Sequence, residues 1–174
     1  MRYAAFLRAI NVGKHNRITM VQLRELCERA GFTGVSTYLQ SGNLLFETDL
    51  PEEAAAGRLE AAFVAHGLKN APAIVRSLPD LASIVSGNPF RAFPEAEFTR
   101  FVTLFREPLS ETTRVKAHEQ ELVVGVRERE LLTVAPVVRE RGLDPASFLP
   151  KNEKMLGTSR YFHVVEEVAR LLQG

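Results

Sequence analysis

The spacing of apolar and polar positions changes several times along this chain, and each change marks an element. Tyr3 to Leu7 is a continuous apolar run ended by Asn11-Val12-Gly13, which predicts a strand buried on both faces and followed by a loop. Met20, Leu23, Leu26, Cys27 and Ala30 then recur at helical spacing. The pair Thr19 and Gln22 forms a capping box ahead of that helix, and Gly31 supplies a left-handed stop. Val35 to Gln40 and Leu44 to Thr48 read as two strands joined by Ser41-Gly42-Asn43, a short glycine-containing connection suited to a hairpin. A second helix starts near Pro51, with Glu52 and Glu53 at the positive end of its dipole and Ala55, Leu59, Ala62 and Phe63 on its buried stripe. Ala71 to Arg76 is the next strand. The order βαββαβ predicts a split-βαβ, ferredoxin-like unit with two helices on one face of an antiparallel sheet.

A short helix from Ser77 to Gly87 follows, and the proline-punctuated stretch from Asn88 to Pro94 predicts a boundary between residues 1–88 and 89–174. Beyond it, Phe98 to Phe105 reads as a strand, Ser110 to His118 as a helix, and Leu122 to Val126 with Leu131 to Ala135 as a strand pair. Pro136 to Pro150 has no clear period. Tyr161, Val164, Val165, Val168 and Leu172 share one face of a closing helix that the pattern starts near Ser159. The second half thus reads as βαββα, an approximate repeat of the first. The predicted class is α+β, with two ferredoxin-like subdomains, antiparallel sheets and a C-terminal helix.

Composition narrows the function classes more than it selects one. The 174 residues are 45% hydrophobic and 25% charged, ordinary for a globular chain able to bury a core without metal or disulfide. The 22 basic and 21 acidic side chains leave a net charge of +1, so no global field attracts nucleic acid or an anionic membrane. No apolar run approaches the ~18 residues of a membrane span, and a single cysteine excludes an internal disulfide. A cytoplasmic protein is expected. Locally the balance differs: residues 1–30 hold six basic and two acidic side chains, whereas 31–99 hold four and eight.

Three polar clusters are the candidate sites. Arg8, Asn11, Gly13 and Lys14 flank a strand end and glycine loop, where backbone N–H groups beside cations could hold an anion; solvated loop charges are the competing reading. Gln40, Ser41 and Asn43 sit at the hairpin tip, where amides could read a base edge, although turn chemistry is the stronger reading. Lys154, Thr158 and Arg160 lie at the expected start of the last helix, whose free N–H groups favour an anion or simply require a cap. Familiar catalytic signatures are missing. The histidines His15, His66, His118 and His163 lack ligand spacing, there is no Gly-x-Ser-x-Gly elbow or phosphate-binding GxxxxGK[ST] loop, and Cys27 lies on an apolar helix stripe. Phe6, Phe46, Phe101 and Phe105 on strands could stack bases, but core packing accounts for phenylalanine there and the aromatic-basic RNA signature is absent.

Arg8-Ala9-Ile10-Asn11-Val12-Gly13, then Ile18, Met20 and Leu23, then Thr37-Tyr38-Leu39-Gln40-Ser41-Gly42-Asn43-Leu44-Leu45-Phe46 resembles the bacterial domain of unknown function 1697 family. Thr158-Ser159-Arg160-Tyr161-Phe162 is similar to its C-terminal signature in altered form, with Tyr161-Phe162 in place of Asn-Trp, and Ala9 replaces a usual glycine. The resemblance implies two ferredoxin-like subdomains and no particular activity. The leading expectation is a binding protein, without cofactor, that takes an anionic small molecule or nucleic-acid phosphate in a cleft between the halves. A structural or protein-interaction role for the polar motifs is the alternative, and an enzyme of unidentified class comes third.

Overall fold

The computed structural model describes residues 1–12, 16–137, 147–154 and 157–174. The chain divides into two compact units, Met1–Ala82 with Val168–Gly174, and Ser83–Glu167.

In the first unit the order is β1 (Arg2–Leu7), α1 (Met20–Arg29), β2 (Thr33–Tyr38), β3 (Asn43–Glu47), α2 (Glu52–Ala65) and β4 (Ala73–Ser77), and α3 (Leu78–Ser86) follows. The strands form one antiparallel sheet in the order β2-β3-β1-β4. Strand alternation decides what each face carries. Tyr3, Ala5 and Leu7 pack with Leu23, Leu26 and Cys27 of α1 and with Leu59 and Phe63 of α2, so both helices cover that face. Ala4 and Phe6, on the opposite face, are equally buried, which is why β1 reads as an uninterrupted apolar run. Helix α1 starts at the capping box: Gln22 N–H donates to Thr19 Oγ1 at 3.1 Å, and Thr19 N–H donates to Gln22 Oε1 at 3.0 Å. Burial pushes the Cys27 thiol up to about 12, which keeps it protonated and inert in the core.

The second unit repeats the connectivity with β5 (Phe98–Phe105), α4 (Glu111–His118), β6 (Val123–Val126), β7 (Glu130–Pro136), α5 (Lys151–Lys154) and β8 (Gly157–Tyr161), after which α6 (Phe162–Gln173) begins. Its antiparallel sheet has the corresponding order, β6-β7-β5-β8. The fold class is α+β with two four-stranded antiparallel sheets and a C-terminal helix.

One element departs from the sequence pattern. Residues 157–161 form a strand rather than the first turn of the last helix, which starts at Phe162. The hydroxyls of Thr158 and Ser159 imitate a helix cap, but pairing of β8 along β5, with Val102 opposite Arg160 and Thr103 opposite Ser159, overrides that local preference. Gly157 allows this approach: a Cβ there would lie 2.6 Å from Phe105 Cε1. The second half is therefore βαββαβ, not βαββα. Most of the segment from Pro136 to Pro150 lies outside the described residues.

Gly42 in the β2–β3 turn is fixed by both conformation and space. Its φ is +80°, and a Cβ would meet Ile10 Cδ1 at 2.5 Å and Leu7 Cβ at 3.0 Å. Gly42→Ala should lower the stability of the fold by at least about 1 kcal/mol, read as a reduced denaturation midpoint with an unchanged m-value. An unaffected midpoint would contradict the packing at this turn.

Candidate functional site

The residues that the sequence nominates fall into two sets, one in each unit. In the first, Asn11 ties two loops together. Its Nδ2 donates to Ile18 O at 3.0 Å and Gln40 O at 3.3 Å, while its Oδ1 accepts from Ile18 N–H at 3.0 Å. A φ of 54° suits asparagine, which tolerates the left-handed region better than most residues. Asn43 is completely buried, and its Nδ2 donates to Tyr38 O at 2.8 Å and Ser41 Oγ at 3.1 Å across the hairpin turn. Gln40 and Ser41 are exposed, and Arg8 is half-buried. Gly13 and Lys14 lie outside the described residues.

In the second unit, Thr158, Ser159 and Arg160 are strand residues, so no helix N-terminus presents them to an anion. Arg160 is buried, and its Nη1 donates to Thr158 Oγ1 at 2.8 Å and Ser159 O at 2.9 Å. Burial pulls its guanidinium down to about 10, still far enough above neutrality to keep it charged. Lys154 ends α5, and its side chain is outside the described set.

A concave site in the same unit was not legible in the sequence. A cavity of about 270 Å³ opens on the sheet face that also carries α4. Phe101, Thr133 and Ala135 contribute to its floor by strand alternation; Gln120, Glu121 and Phe148 stand around it. Thr133 is 2% exposed, and its hydroxyl has no hydrogen-bond partner among the described residues. Such a group is costly unless something in the cavity satisfies it. No Lys, Arg or His lines the cavity among the described residues. Its chemistry is thus a half-buried aromatic face, the hydroxyls of Thr133 and Ser147, an amide and one carboxylate. Phe6, Phe46 and Phe105 are core residues, whereas Phe101 is only partly buried.

A second cavity of about 220 Å³ is lined by Glu95, Arg100, Tyr161 and His163. The Phe101 and Tyr161 rings lie 5.3 Å apart at 32°, so this aromatic pair joins a residue of each cavity. The signal for these residues was weak because cavity-lining positions on strands carry the same apolar pattern as core positions. Among the described residues, no cluster of three or more His, Cys, Asp or Glu could hold a metal, and no helix is long and apolar enough to cross a membrane.

The bonding of Asn43 predicts that Asn43→Ala costs about 1–3 kcal/mol, because it removes a fully buried amide and its bonds to Tyr38 O and Ser41 Oγ across the turn. Chemical denaturation checks this, and a loss below about 0.5 kcal/mol would contradict it.

Comparison with known proteins agrees with the architecture. The conserved bacterial protein SP0830 from Streptococcus pneumoniae superposes with a TM-score of 0.72 over 98% of each chain at 20% sequence identity, a likeness of fold. A search of curated proteins gives no match. The model of the family described as "Protein of unknown function (DUF1697)" matches residues 1–130, which takes in the loop and hairpin motifs and the first two strands of the second sheet. This chain belongs to the DUF1697 family.

Proposed function

We propose that the protein binds a nucleobase-bearing ligand, a nucleotide or unpaired nucleic acid, and that the base enters the larger cavity of the second unit. The observation that carries this reading is the unpartnered, buried Thr133 hydroxyl on the floor of a cavity beside the Phe101 ring. A base supplies both things the site lacks: a flat face for the aromatic ring and a polar edge for the hydroxyl. The cavity volume of about 270 Å³ falls just below the ~300–1,000 Å³ typical of sites for drug-sized ligands, which suits one ring system. Glu121 and the lack of a lining cation among the described residues disfavour a phosphate inside, so the base is held and the anionic part stays outside. This revises the composition-based expectation, in which the phosphate was the recognised group.

The polar motif residues take a fold-holding role in this account. The side-chain bonds of Asn11, Asn43 and Arg160 support it. A reducing, cytoplasmic location is proposed with it, since Cys27 is a free, buried thiol.

Titration calorimetry with nucleosides, their 5′-monophosphates and inorganic phosphate tests the reading. A nucleoside should bind about as well as its monophosphate, and phosphate alone should not compete. Thr133→Val should weaken nucleoside binding two- to tenfold, corresponding to about 0.5–1.5 kcal/mol for one hydrogen bond. The same variant should leave the free protein equally stable or more stable, because it removes an unpaired buried hydroxyl. Binding that requires the phosphate, or that is indifferent to Thr133→Val, would overturn the proposal.

A further inference from the structure

We infer that the two cavities of the second unit are consecutive subsites for one ligand, a single-stranded nucleic-acid segment whose neighbouring bases occupy them in turn; this rests on the proposed base-binding role of the larger cavity. The Phe101, Tyr161 and His163 rings carry the inference. Phe101 lines the larger cavity, Tyr161 and His163 line the smaller one, and Tyr161 contacts both other rings. The Tyr161 and His163 rings are nearly parallel, 11° apart, with centroids 5.5 Å apart. Tyr161 is 44% exposed and the His163 side chain 54%, so this stack is a surface feature rather than a core contact. Exposed aromatic faces in series are what successive unpaired bases stack on, irrespective of sequence.

The charges divide between the subsites in the way a strand requires. The larger cavity is lined by no cation among the described residues, and the smaller one adds Arg100. Glu95 Oε2 lies 3.0 Å from Arg100 Nη2, and the Arg100 Cζ lies 5.6 Å from the Phe162 ring centroid. The planar Arg100 fork of donors is thereby fixed in the cavity that Tyr161 also lines, and such a fork matches phosphate geometry. The phosphodiester that joins the two bases therefore sits at the smaller cavity, while the first base remains in neutral surroundings. A single phosphate contact also reconciles strand binding with the near-neutral chain: log K should fall with log salt at a slope of only about −0.7.

The test compares a 5′-mononucleotide with the dinucleotide that carries the same bases, measured calorimetrically on the full chain. Wild type should bind the dinucleotide about tenfold more tightly than the mononucleotide, the scale of one added stacked base. Tyr161→Ala should bring this ratio close to one, and Tyr161→Phe should preserve it, because the ring face rather than the hydroxyl does the stacking. A ratio near one in wild type, or a ratio that Tyr161→Ala leaves intact, would overturn the second subsite while mononucleotide binding still upholds the first. Failure of both probes to bind would overturn both.

Discussion

An antiparallel sheet with βαββαβ connections must hide one apolar face beneath the helices of its crossovers, and helix length sets how much of that face is hidden. In the first unit α1 and α2 have 10 and 14 residues, about 15 and 21 Å at the helical rise of ~1.5 Å per residue. Their side chains and the sheet form one continuous core. In the second unit α4 and α5 have 8 and 4 residues, about 12 and 6 Å. The same connectivity goes with a continuous core in one unit and, in the other, with an open cavity that has Phe101 and Thr133 on its floor. The unpaired hydroxyl lies on the same open floor, where no neighbour among the described residues satisfies it.

Where local pattern and tertiary pairing agree, the chain could be read closely from its residues. Thr19 and Gln22 announce the first helix and form both bonds of the capping box. Phe98–Phe105 is a strand over the same bounds that its apolar alternation indicates. Residues 157–161 could not be read this way, because a hydroxyl-rich segment before a helix looks like a cap and only its pairing with β5 makes it a strand. The cavity was illegible for a related reason. Thr133 and Phe101 alternate along their strands as core residues do, and whether anything covers them is set by tertiary packing, which periodicity does not carry.

The family motifs acquire a physical meaning from the same comparison. Asn11, Gly42 and Asn43 look like a ligand-reading cluster because they are polar or conformationally special and stand in loops. Their bonds and packing instead close the loop after β1 onto the hairpin between β2 and β3. Arg160 Nη1 likewise donates to Thr158 and Ser159 of its own strand. The side chains we propose as the binding surface lie elsewhere, in a part of the second sheet where no single polar motif draws notice.

The central claim concerns location, and a residue-by-residue amide and side-chain NMR titration with a nucleoside addresses it most directly. The account predicts that the shifts centre on Phe101, Gln120, Thr133 and Phe148 and leave Asn11, Gln40 and Asn43 unmoved. Shifts centred on the loop and hairpin of the first unit, or no shifts at saturating nucleoside, would contradict it.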